Sequence, residues 1–213
     1  MPGPTLTTDA IVLLKRPPSD HFQTLAVFTA THGTLRVIQR LPKKTTTSHL
    51  ALDLFDEVAL LLECAPQGDA WFVKEPRLLT RHSGIGRHYE SLVRASAFAT
   101  LVARNPVPEE SRASIHALLR TAFAAFATDA SADTVYLKCL YCFARDEGYP
   151  VKQQWIPSLS PELSAAAARL LHTPLATLAR DDFPPSPVAT LLRHLEHYLR
   201  NHTEIMMDER GER

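Results

Sequence analysis

No proline falls between Pro76 and Pro106, nor between Pro108 and Pro150, in a chain of 213 residues that carries sixteen prolines. Proline removes a helical N–H and clashes with the turn before it, so long proline-free windows are where long helices can form. Both windows are rich in Ala, Leu and Arg, which lose little on entering a helix. His88–Arg104 places Leu92, Ala95, Phe98, Leu101 and Val102 at helical spacing. Glu109–Thr128 does the same with Ile115, Leu118, Leu119, Phe123 and Phe126, and its Glu109-Glu110 pair suits a first turn. Thr134–Glu147 contributes Val135, Leu137, Leu140, Tyr141 and Phe143 before Gly148-Tyr149-Pro150 stops it. Ser160-Pro161-Glu162 and Ser186-Pro187 have the form of an N-cap followed by proline, which predicts two further helix starts.

Before residue 80 the pattern is different. Apolar runs are short and rich in β-branched residues: Thr8–Leu14, Gln23–Thr29, Thr34–Gln39, Leu54–Glu63 and Ala70–Leu78. His32-Gly33 reads as a hairpin turn, Leu41–Ser48 as a polar loop and Ala65–Asp69 as turn chemistry. Leu54–Glu63 fits a helix almost as well as a strand by periodicity alone. Pro76 suits an edge or the end of the fifth strand. The expected class is α+β: a small five-stranded barrel or sandwich over 1–80, then an all-α domain of about five helices over 81–213.

Composition excludes several function classes. With 45% apolar residues the chain can bury a core, so it is no disordered tail. Lys+Arg and Asp+Glu are 23 each, which excludes nucleic-acid affinity from bulk charge. Three cysteines, Cys64, Cys139 and Cys142, cannot make a disulfide framework and point to a reducing compartment. No apolar window has the length of a membrane span, and Met1-Pro-Gly-Pro-Thr lacks a signal-peptide layout, so no membrane partner and a cytoplasmic location are expected.

Most chemistry-bearing groups are incomplete. Cys139 and Cys142 have CxxC spacing, but they lie inside a predicted helix and lack two further zinc ligands, so they read as small buried hydrophobes. His194, His197 and His202 share a helical segment without a clear third ligand. Gly84-Ile85-Gly86 lacks the full phosphate-binding fingerprint. No nucleophile motif is present, so neither an enzyme nor a cofactor or metal is expected.

The informative group is basic. Arg36 and Arg40 share one face of the third strand with Ile38, and the loop after it adds Lys43, Lys44 and a run of hydroxyls ending at Ser48. Residues 36–44 hold four basic side chains and no acidic one. Lys15 ends the first strand, and Lys74 lies near the end of the fifth with Trp71 and Phe72 beside it. Basic side chains interleaved with aromatics on a small barrel are what single-strand binding uses, charge following the backbone and rings stacking on bases. The plainer alternative is a solvated face with Trp71 or Phe72 in the core. A second group, Arg94, Arg104 and Arg120 with Leu92 and Phe98, fits either a groove for a peptide with an acidic end or an ordinary amphipathic pattern.

The order of these segments resembles the RecO family of bacterial recombination mediators. Thr8–Leu13 is similar to the family's opening strand, and Leu25–Arg36 (LAVFTATHGTLR) to its second and third strands and their turn. Arg40–Leu54 resembles its basic loop, Glu75–Leu79 the end of its barrel, Tyr136–Tyr149 the helix closing on Gly-Tyr, and His197–Met206 the terminal helix. The chain departs from the family in Arg16–His21, near Leu41-Pro42, and in Val151–Pro174, where many members carry zinc cysteines and this chain has none. The resemblance implies an N-terminal oligonucleotide-binding (OB) barrel and a helical domain without a metal. It implies binding to single- and double-stranded DNA, strand annealing, and work with RecR to load RecA on DNA coated by single-stranded DNA-binding protein, near the nucleoid. The C-terminal tail of that coating protein is then expected to dock on the helical domain. A protein-interaction adaptor with little direct DNA binding is the alternative.

Overall fold

The structure, a computed structural model, describes residues 3–19, 21–42, 50–65, 69–178 and 183–207. The class is α+β: a closed five-stranded sheet followed by six helices. The strands are β1 (Thr5–Lys15), β2 (Phe22–Thr29), β3 (Gly33–Arg40), β4 (Glu57–Cys64) and β5 (Ala70–Thr80). The helices are α1 (Tyr89–Arg104), α2 (Arg112–Phe126), α3 (Ala132–Asp146), α4 (Val151–Gln154), α5 (Pro161–His172) and α6 (Pro185–His202). The chain divides into two compact units, residues 1–82 with 106–116, and 83–105 with 117–213. The segment 106–116, which the sequence assigns to the helical part, thus belongs with the strands. No helix among the described residues is long and apolar enough to cross a membrane.

The sheet runs β1-β2-β3-β5-β4 and closes through β4 and β1. All pairings are antiparallel except β3 with β5. Alternation along the strands fills the inside with Ala10, Val12, Leu25, Val27, Val37, Val58, Leu60 and Leu62, all at most 1% exposed. The β2–β3 hairpin turns on Gly33, whose φ of +66° suits a residue without a Cβ. Arg112 lies against it, Nη1 donating to the Thr31 carbonyl at 2.9 Å.

β4 starts three residues later than its apolar pattern predicts. Asp53–Asp56 is a turn, with Phe55 buried at φ +67°. Such a backbone is costly for an aromatic residue, and it is held from several sides. The Phe55 N–H donates to Val12 O. Buried Asp56 accepts from the Asp53 N–H and from two nitrogens of Arg81, at 2.9 and 2.7 Å. Arg81 also donates to Ala51 O, tying 51–56 to the end of β5.

In the helical unit α1, α3 and α6 pack around Phe98, Leu140, Phe143, Leu195 and Leu199, each at most 1% exposed. α5 begins where the sequence places it: Ser160 Oγ accepts from Leu163 N at 3.4 Å, ahead of Pro161. α6 begins earlier than Ser186-Pro187 predicts, with Pro184 as its N-cap and Pro185 in its first turn. Proline there loses no helical hydrogen bond.

Candidate nucleic-acid interface

β3 and β5 pair over only three positions, Arg36 with Ala70, Val37 with Trp71 and Ile38 with Phe72. Beyond Ile38 and Phe72 the strands are not bonded to each other, and β5 pairs with β4 alone through Pro76 to Thr80. Pro76, which has no N–H to donate, is tolerated in such a one-sided stretch. A groove of about 910 Å³ lies here, lined by Phe22, Ile38, Arg40, Phe72, Lys74 and Pro76 among others.

The groove joins aromatic to basic groups because of register. Phe22 pairs with Arg40, Thr24 with Ile38 and Ala26 with Arg36 across β2 and β3. Phe22 is 40% exposed, and its ring lies 6.5 Å from that of Phe72, tilted by 58°. Trp71, assigned from sequence as a nucleic-acid contact, is turned the other way. It is half-buried and packs on the interior cluster. Its partner in the parallel pair is the wholly buried Val37, so the strand alternation places Trp71 inside and Phe72 outside.

The basic side chains are not equivalent. Arg40 and Lys74 line the groove; Lys15 and Arg36 do not. Arg36 is exposed on the outer face of β3 and donates through Nη2 to Asp69 Oδ1. Lys74 Nζ lies 2.6 Å from Glu63 Oε2. That hydrogen bond is the main reason the Glu63 carboxyl is held below its ordinary pKa, with a further contribution from the Gly3 N–H. Lys15 Nζ lies 3.1 Å from Asp53 Oδ1. Three of the expected cations thus have carboxylates of their own. Lys43 and Lys44 lie outside the described residues; Pro42 and Leu50 line the groove.

The arginines of the expected peptide site lie on two helices, Arg94 and Arg104 on α1 and Arg120 on α2. Arg94 and Arg104 lie ten residues apart on α1, about 15 Å along its axis. Arg94 is engaged within the unit: Nε donates to Asp133 Oδ1 at 2.7 Å, and the guanidinium sits 5.0 Å from the centre of the Tyr136 ring. The apolar groove in this unit lies instead between α5 and α6. It has a volume of about 360 Å³ and is lined by Ala166, Arg169, Leu170, Phe183, Val188 and Leu191 among others. Arg169 stands over the Phe183 ring at 4.7 Å.

Cys139 and the Gly84 turn serve packing. Cys139 is fully buried in α3, and desolvation raises its thiol pKa well above the ordinary value. Among the described residues no three His, Cys, Asp or Glu side chains gather as a metal site. A Cβ on Gly84 would lie 2.2 Å from the Ala127 carbonyl oxygen, so this glycine permits close backbone packing. Lys138, 6% exposed in α3, donates from Nζ to the carbonyls of Leu170 at 3.1 Å, Leu171 at 2.8 Å and Thr173, at the C-terminal end of α5. Burial lowers its pKa.

Phe22 is the groove residue that sequence reasoning missed. Its signal was present: counting by twos back from Thr24 and Ala26, opposite Ile38 and Arg36, puts Phe22 opposite Arg40. No protein-family model matches the chain, and no curated protein matches it.

Proposed function

We propose that this protein is a non-enzymatic DNA-repair and recombination mediator of the RecO type. It binds and anneals single-stranded DNA, also meets double-stranded DNA, and helps RecR load RecA on DNA coated by single-stranded DNA-binding protein. The observation that carries the reading is the groove on the outer face of β2, β3 and β5, where Phe22 and Phe72 stand beside Arg40 and Lys74. An OB barrel has five strands and uses its strand 2–3 face for oligonucleotides. The strand order β1-β2-β3-β5-β4 supports reading the closed sheet as that type. Rings for bases and cations for phosphates are the two components of single-strand binding.

The test is fluorescence anisotropy with a labelled oligo-dT strand of about twelve nucleotides, within the site size of one such barrel. Measured across a salt series, affinity should fall linearly on a log–log plot, with a slope of roughly −0.7 per phosphate neutralised. Arg40→Ala with Lys74→Ala should weaken binding and flatten that slope. No binding at low salt, or binding indifferent to salt, would sink the direct-DNA claim.

The adaptor reading has its own observation, the α5–α6 groove with Arg169 over Phe183. An apolar floor with a guanidinium at its rim suits a peptide whose aromatic end carries a carboxylate. Retention of such a tail without DNA, lost in Arg169→Ala, combined with no oligonucleotide binding, would favour the adaptor over the mediator.

A further inference from the structure

We infer that Glu63 and Asp69 are built-in competitors for the phosphate-binding cations of the groove face, so that this face accepts a strand of several linked phosphates and rejects mononucleotides. The inference rests on the DNA-binding reading above and adds the ligand class and its control. Lys74 lines the groove and carries Glu63 at 2.6 Å. Arg36 lies two positions along β3 from Ile38, on the same outer face as Arg40, and carries Asp69.

A phosphate that reaches Lys74 or Arg36 must displace a carboxylate already tethered to the same sheet. A tethered partner acts at the high effective concentration of an intramolecular group. One free phosphate, arriving from dilute solution, competes poorly with it. A strand presents its phosphates tied together, so once one phosphate is held on this face the next meets Lys74 intramolecularly as well. Displacement also changes the salt response. A cation that keeps a carboxylate beside it neutralises less phosphate charge, so fewer counterions leave the strand when it binds. The carboxylates thus hold affinity down and make it conditional on ligand length.

The two positions can be neutralised without dismantling the fold. Asp69 is 83% exposed. In Glu63→Gln the side-chain oxygen can still accept from the Gly3 N–H, a contact of 3.3 Å. Asp53→Asn is the internal control, since it releases Lys15 on β1, a strand that pairs with neither β3 nor β5.

The experiment is anisotropy of labelled oligo-dT with competition by thymidine monophosphate, on wild type, E63Q, D69N, the double variant and D53N, each checked for folding by circular dichroism. E63Q and D69N should each tighten oligo-dT binding about 2- to 5-fold, the scale of an exposed ion pair. The double variant should gain about 10-fold, with a salt slope steeper by roughly 0.7 for each carboxylate removed. Thymidine monophosphate should compete measurably only in the neutralised variants, and D53N should match wild type. Wild-type binding that neither substitution tightens would overturn this inference and leave the DNA-binding reading standing. Tightening in D53N equal to that in E63Q would also overturn it, because the effect would then be net charge alone. Absence of binding in every protein, wild type included, would overturn both.

Discussion

Two neighbouring aromatic residues show how much one position along a strand decides. Trp71 faces the interior cluster and Phe72 faces the groove. Substituting each with alanine should separate stability from binding. Trp71→Ala removes packing from the sheet interior and should cost about 2–4 kcal/mol in urea denaturation. Phe72→Ala should leave the urea midpoint nearly unchanged and weaken oligo-dT by about 1–3 kcal/mol, the worth of one stacked base. The sequence contained both rings but not their orientation. That depends on the parallel register of Val37 with Trp71, set between strands more than thirty residues apart. Lys138 was hidden for a similar reason. Its charge lies inside a helix pattern, and the carbonyls that justify burying it belong to α5. Lys138→Met keeps the aliphatic stem and strands those carbonyls. It should destabilise the protein by about 2–3 kcal/mol, by the same urea assay, since hydrogen bonds to a charged group are among the stronger ones.

Whole elements were more legible than their ends. α1, α3 and α5 begin within two residues of their sequence signals, because their starts are marked locally by periodicity or by a cap and a proline. β4 did not, because Leu54 and Phe55 are apolar yet sit in a turn that distant groups enforce. Nothing local marks Phe55 for a positive φ. Gly84-Ile85-Gly86 stands out in the sequence, but its contact with the residue following α2 does not. Gly84→Ala tests that contact at the level of the element. The added methyl meets the Ala127 carbonyl, and the short helical turn Ser83–Arg87 must shift. The expected loss is about 1–3 kcal/mol, the range for overpacking, read from thermal unfolding. Gly86→Ala, with open space at its Cβ, should show no such loss.

At the scale of the whole molecule, the equal totals of acid and base turn into specific pairs. Arg36 meets Asp69 across 33 residues, Lys15 meets Asp53 across 38, and Lys74 meets Glu63. Composition alone left open whether the even charge was segregated into patches. On the sheet, three of the cations the sequence singled out, Lys15, Arg36 and Lys74, carry acids of their own. Affinity for a polyanion at this face should therefore depend on salt more sharply once those acids are neutralised than in the native chain. The short pairing of β3 with β5 has one more consequence. Among the described strands, β3 beyond Ile38 and β5 beyond Phe72 have no ladder partner on that side. Such edges are templates on which a second chain can add its own strand and seed aggregation. Arg40, Lys74 and Pro76 stand along that opening. Charge and proline on an exposed strand discourage such stacking. The side chains proposed to hold a nucleic acid are therefore also placed to discourage edge-to-edge pairing between copies, and a variant stripped of them should be less soluble.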